Sequence, residues 1–248
     1  MEDYYMTEEQ KIAKELEKQE KQKKTKKRDK IILITILCII LLPAVVALIL
    51  IIVMKIQGKE LPSITSEKYR KPVIYLYPEE TSEVSVRLGF KGNLTVTYPL
   101  YNDGWNVTAE PDGTLTDASG KKYNYLYWEG NSDAEFDMSE GFCVKGSDTA
   151  EFLEEALEKL GLTRREANEF IVYWLPYMEG NAYNVISFQK EAYTDCAVLD
   201  VSPEPDTVIR VFMAYYPSEK AVDIPVQQLT APERVGFTVV EWGGSEIK

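Results

Sequence analysis

Pro72-Val-Ile-Tyr-Leu-Tyr-Pro78 is a short apolar run closed at both ends by proline, the pattern of a buried or edge strand, and it opens the folded part of this chain. Downstream, apolar and polar residues alternate in Glu83-Val-Ser-Val-Arg-Leu88, Leu94-Thr-Val-Thr-Tyr98, Trp105-Asn-Val-Thr-Ala109 and Tyr123-Asn-Tyr-Leu-Tyr-Trp128. Turn residues separate them: Lys91-Gly92-Asn93, Asn102-Asp103-Gly104, Pro111-Asp112-Gly113 and Ser119-Gly120. Strands and turns at such regular spacing predict antiparallel pairing and a sandwich-like first half.

The pattern changes at Asp148, which with Glu151 has the spacing of a capping box. Leu153, Ala156, Leu157 and Leu160 then form a helical stripe that Gly161 stops. Thr163 and Glu166 cap a second helix, with Ala167, Phe170, Ile171 and Trp174 inward and Pro176 at its end. Strands return at 185–188, 208–215 and 237–242. The expected fold class is α+β, a β-rich sandwich-like domain with an inserted αα-hairpin.

Upstream, Ile31 to Met54 is a run of 24 residues without a charge, and Lys21 to Lys30 holds seven Lys or Arg against one Asp. As a helix the run is roughly 36 Å long against a hydrocarbon core of about 30 Å, so it predicts a single transmembrane helix. It is too long for a signal peptide and lacks a small-residue cleavage site at Lys55-Ile56-Gln57-Gly58-Lys59. The basic flank predicts a single-pass signal-anchor in the plasma membrane, with a cytoplasmic N-terminus and an extracytoplasmic C-terminal domain. The expected organisation is a charged tail at 1–30, the span at 31–54, a linker at 55–71 and the domain at 72–248.

Positions 55–248 carry 18 basic and 32 acidic residues, a net charge of −14. Such a surface does not seek nucleic acid, whose phosphates need a cationic footprint. The chain contains no histidine, which removes Ser-His-Asp and Cys-His catalysis and imidazole zinc sites. No cofactor or metal site is expected. Cys143 and Cys196 are candidates for a disulfide, with two separate thiols as the alternative.

Tyr123, Tyr125 and Tyr127 are expected on one face of a strand ending in Trp128-Glu129-Gly130, and Glu241-Trp242 closes the domain in a similar way. Aromatic rings beside carboxylates suit sugar recognition, since rings cover apolar sugar faces and acids accept hydroxyl hydrogens. Tyr123, Tyr125, Tyr127, Trp128, Glu129, Glu241 and Trp242 are the candidate ligand site. Glu129 and Glu241 are also the pair to test for glycosidic hydrolysis, which requires two carboxylates about 5 to 9.5 Å apart. Core aromatics with acids at strand ends give the same pattern. Asp133-Ala-Glu-Phe-Asp137 with Glu140 alternates acids but lacks the glycine and final glutamate of a calcium loop. Ser119-Gly-Lys-Lys122 and Ser187-Phe-Gln-Lys190 match Ser-x-x-Lys without the partner motifs of serine acylases.

Lys71-Pro-Val-Ile-Tyr-Leu-Tyr-Pro78, Pro111-Asp-Gly-Thr-Leu115, Tyr125-Leu-Tyr-Trp-Glu129, Tyr173-Trp-Leu-Pro176 and Gly236-Phe-Thr-Val-Val-Glu-Trp-Gly-Gly244 together resemble an uncharacterised family of bacterial and fungal proteins. The resemblance covers nearly the whole of 72–248. It implies no activity and assigns no residue a role. The expected function is a membrane-anchored binding or interaction module with a glycan or protein ligand outside and the lipid bilayer as its other partner. A carboxylate-dependent glycoside hydrolase is the alternative.

Overall fold

The structure is a computed structural model that describes residues 67–247 together with Lys21, Lys23, Lys24, Lys26, Lys27, Arg28 and Lys30, which are helical. The chain divides into two compact units, Met1–Pro62 and Ser63–Lys248. The second holds every strand among the described residues.

β1 (Glu67–Tyr77) is the strand predicted from the proline-bounded run, begun five residues earlier. Pro72 to Leu76 are buried without alternation. The cause is its place inside a seven-stranded sheet covered on both faces. That sheet has the order β3 (Asn93–Tyr98), β7 (Leu126–Ser132), β1, β12 (Thr238–Glu246), β11 (Thr207–Ser218), β9 (Tyr183–Gln189), β8 (Phe142–Lys145). A five-stranded sheet runs β10 (Ala197–Ser202), β2 (Ser82–Phe90), β4 (Trp105–Ala109), β5 (Leu115–Thr116), β6 (Lys122–Tyr123).

Alternate residues of β1 serve two cores. Ile74 and Leu76 pack with Val84, Val86, Trp105, Val107 and Phe212 between the sheets. Val73 and Tyr75 pack with Leu153, Leu157, Phe170, Trp174 and Trp242 under the helices α1 (Thr149–Lys159) and α2 (Arg164–Met178). The order is therefore helix pair, large sheet, small sheet.

β11 and β12 pair in parallel, so the chain must cross from one end of the sheet to the other between them. Residues 219–237 make that crossing as an irregular strap fixed by side chains. The Gln227 amide accepts from the Phe188 N–H at 2.9 Å and donates to the Phe188 carbonyl at 2.7 Å, as a neighbouring strand would. Arg234 donates to the Gly161 carbonyl and to Glu166, a fully buried carboxylate that also accepts from the Thr163 N–H at 2.7 Å in the predicted capping box. Arg234→Ala is expected to lower stability by about 2 kcal/mol, because it strips a charge-assisted partner from a buried acid. Urea unfolding measures this, and an unchanged midpoint would show that the strap is held without it.

The expected fold class needs correction. The described residues are mostly β-sheet with few helices: in the second unit α1, α2, the single turn α3 (Glu191–Thr194) and a 3-10 turn at Gly146–Asp148 stand against twelve strands. β5, β8 and β10 escape the sequence pattern because they are short or carry alternation on one half-exposed sheet. The transmembrane, single-pass and signal-anchor reading is corrected too, since no helix among the described residues is long and apolar enough to cross a membrane. The helical positions described before the domain are all Lys or Arg, which hydrocarbon does not accept. Residues 31–54, on which the expected span falls, and linker positions 55–66 lie outside the described residues.

Smaller differences have local chemical causes. Asp148 precedes α1 but makes no side-chain cap; its carboxylate accepts from the Ser147 hydroxyl instead. α2 continues through Pro176 to Met178. The amide that Pro176 lacks would have met the carbonyl of Val172, which is 66% exposed, so water can replace it. Cys143 and Cys196 are free thiols, not a disulfide. Cys143 lies on edge strand β8 and accepts from the Val222 N–H, whereas Cys196 is buried between the sheets beside Ser132.

Candidate functional site

The predicted aromatic and acidic residues do not share one strand face. The segment 122–128 breaks into β6 and β7 and passes from one sheet to the other, leaving Tyr125 at the step. Tyr123 thus belongs to the small sheet. Its hydroxyl donates to Asp117 at 2.7 Å and its ring meets Tyr98 edge-on at 5.4 Å.

Along β7, Leu126 and Trp128 face the small sheet and Tyr127 and Glu129 face the helix side. Along β12, Glu241 pairs with Ile74 and points between the sheets, while Trp242 pairs with Val73 and packs on Phe170 at 5.3 Å. Glu129 and Glu241 therefore lie on opposite faces of the large sheet. They do not flank one cleft, and the two-carboxylate geometry that hydrolysis needs is not assembled.

Glu241 is instead enclosed. It is 0% exposed and accepts from Trp128 Nε1 at 3.0 Å and from Arg210 Nε at 2.7 Å, with Arg210 Nη2 at 2.6 Å. The Arg210 guanidinium lies 4.7 Å from the Tyr193 ring, which stacks on Phe212 at 4.2 Å. Two opposite charges thus satisfy each other inside an aromatic box. The box is structural, because nothing from outside reaches its carboxylate.

The surface site forms where the helices leave the large sheet uncovered. The β3–β7 register sets Val96 opposite Glu129 and Tyr98 opposite Tyr127. Val96 is 45% and Tyr98 62% exposed. β1 adds Lys71, and α2 stands alongside with Tyr173 and the 48% exposed Tyr177. Lys71 has φ +59°, a left-handed conformation unusual for a side-chain-bearing residue, at a bulge where β1 slips register against both neighbours. Its amide donates to Glu129 Oε1 at 3.3 Å. Its ammonium lies 5.1, 5.4 and 5.9 Å from the rings of Tyr125, Tyr127 and Tyr173, and each such contact contributes about 0.5–1 kcal/mol at an exposed site. These contacts offset the cost of the strained backbone.

A cleft of about 310 Å³ adjoins this platform, with Lys68, Arg70, Thr95, Glu129 and Asn131 in its walls. Glu129 is common to the cleft and the platform. Burial pushes the Tyr127 phenol up, and the negative charge of the nearby Glu129 adds to this. Burial, followed by the charge of Glu129, pushes Tyr173 up to about 12. Both hydroxyls are neutral near pH 7 and able to donate or accept.

Tyr125, Tyr127 and Glu129 of the predicted set therefore meet at the surface, with Tyr123 at the margin. Trp128, Glu241 and Trp242 are core. Tyr98, Tyr173, Lys68, Arg70 and Lys71 join the site without having been singled out. The sequence signal for Lys68 and Arg70 was alternation about Tyr69, which extends the strand backward. Among the described residues, no cluster of His, Cys, Asp and Glu is arranged to hold a metal ion.

A Butyrivibrio fibrisolvens protein described as "Uncharacterized protein in bglA 3'region" is 52% identical to this chain over 64 residues, 25% of this chain. The chain spans 66% of that protein's length. No family model matches the chain, and no solved structure matches it. The likeness carries no activity with it.

Proposed function

We propose that the domain is a binding module whose ligand is a glycan, held on the open end of the large sheet by Tyr125, Tyr127 and Tyr173 beside Glu129. The observation that carries this reading is the convergence of half-buried tyrosine rings on one carboxylate beside a cleft of about 310 Å³. Sugar rings present apolar C–H faces that stack on aromatic planes, and their hydroxyls need fixed polar partners. Glu129 accepts, Asn131 and Thr95 donate and accept, and the tyrosine hydroxyls do both. The rigid sheet beneath keeps the ordering cost of binding low.

Binding of the full-length protein to a glycan array, followed by calorimetry on the best oligosaccharide, tests this. Tyr127→Leu keeps the apolar volume and removes the aromatic plane and hydroxyl. It is expected to weaken binding about tenfold, the loss typical of an aromatic anchor worth at least about 1.4 kcal/mol. A protein that binds no glycan, or binds equally well with leucine there, does not work in this way.

A further inference from the structure

We infer that the glycan is acidic, with a uronate carboxylate received by Arg70 and Lys68 while the sugar ring lies on Tyr127. This rests on the glycan-binding reading above and names the ligand class within it.

The distribution of charge sets this site apart. Positions 67–247 hold 31 acidic and 15 basic residues, so most of this surface repels an anion. Three of those basic residues, Lys68, Arg70 and Lys71, fall within four positions at the site. Lys122, Lys159, Arg164, Arg165, Lys190, Arg210 and Arg234 each pair with a carboxylate; these three form no salt bridge among the described residues, and neither do Arg87, Lys91, Lys121, Lys145 and Lys220, which do not line the cleft. Lys71 is occupied by the tyrosine rings. Lys68 and Arg70 line the cleft and have no carboxylate partner among the described residues.

Lys68 pairs in register with Asn131, and Asn131 lies on the Glu129 face of β7, so both cations open onto the same side as the platform. Glu129 itself accepts from the Lys71 amide, which leaves its remaining lone pairs for sugar hydroxyls. A planar guanidinium in the wall of a cleft suits a carboxylate, which it can engage through two parallel N–H donors. The acidic remainder of the domain then repels the polymer elsewhere and leaves one place for it to settle.

The test is calorimetry on the full-length protein with oligogalacturonate, with the same oligomers methyl-esterified, and with dextran sulfate. The free acid is expected to bind at least about tenfold more tightly than the ester, as loss of a charge-assisted contact implies. Arg70→Gln should shrink the ratio of acid to ester affinity towards one, and Arg70→Lys should restore part of it. Added salt should weaken the acid and leave the ester unmoved. Equal binding of acid and ester, an unaffected Arg70→Gln variant, or dextran sulfate binding as tightly as the uronate overturns the inference. If neutral oligomers bind and respond to Tyr127→Leu with no preference for acid, the binding module stands and its acidic ligand falls. If no oligomer binds, both fall.

Discussion

Arg210→Ala destabilises the domain by about 3–5 kcal/mol, the expected cost of removing one partner from a buried ion pair. Glu241 has no exposure, and two of its three close contacts, Nε at 2.7 Å and Nη2 at 2.6 Å, come from Arg210. Without them the carboxylate keeps the Trp128 indole at 3.0 Å, one neutral donor for a full charge in a low-dielectric interior. It must then take up a proton or draw water between the sheets, and each course costs free energy that the native packing avoids. The Tyr193 ring also loses the cation it covers. A control separates electrostatics from packing. Arg210→Met combined with Glu241→Leu removes both charges, and it should recover most of the loss, since apolar residues of similar volume replace buried pairs at little cost. Urea unfolding of the three proteins reads the result. A single variant with wild-type stability would mean that the pair is solvated in solution.

Alkaline solution should unfold the domain cooperatively rather than titrate its tyrosines one by one. Burial is the largest cause raising the phenols of Tyr69, Tyr75, Tyr77, Tyr127, Tyr173, Tyr193 and Tyr215, with Tyr173 at about 12 and the others higher. An unfolded tyrosine ionises near pH 10. The folded state therefore holds its phenolic protons more tightly than the unfolded state. The stability they contribute is complete below about pH 10 and drains away as pH rises through the folded values, from about 12 upward. Each unit of separation is worth about 1.4 kcal/mol, to be discounted at Tyr127 and Tyr173, which are half open to solvent. A few deeper residues suffice against a stability of about 5–15 kcal/mol. Tyrosinate absorbance at 295 nm and circular dichroism should change together, above pH 10. Ionisation of all sixteen tyrosines near pH 10 with secondary structure intact would contradict the burial of these hydroxyls.

The strands were legible where local pattern and environment agree. Residues 83–88, 94–98 and 105–109 alternate because one face meets the core and the other meets water or an open edge, and each is a strand. The proline-bounded run was legible because a short apolar run closed by prolines fits a strand covered on both faces, which this one is. The helix pair was legible from its stripes and from the Thr163 and Glu166 box. What sequence could not carry was parity across a break. Reading 123–128 as one strand put three tyrosines on one face, but the step at Tyr125 sends Tyr123 to the other sheet. Glu241 and Trp242 look like a surface pair, yet adjacent residues on a central strand face different cores. The bulge at Lys71 is a matter of backbone conformation, which its residue type does not announce.

The two strands at the centre of the large sheet come from opposite ends of the folded unit: β1 begins at Glu67 and its neighbour β12 ends at Glu246. During synthesis β1 emerges first and waits for the last partner to leave the ribosome. Through that interval its apolar run has one edge open and both cores unfinished, a template for pairing with other nascent chains. Contacts that span so much sequence also make folding slow. The centre of the large sheet therefore closes only once the chain up to residue 246 is available to pair with its earliest strand.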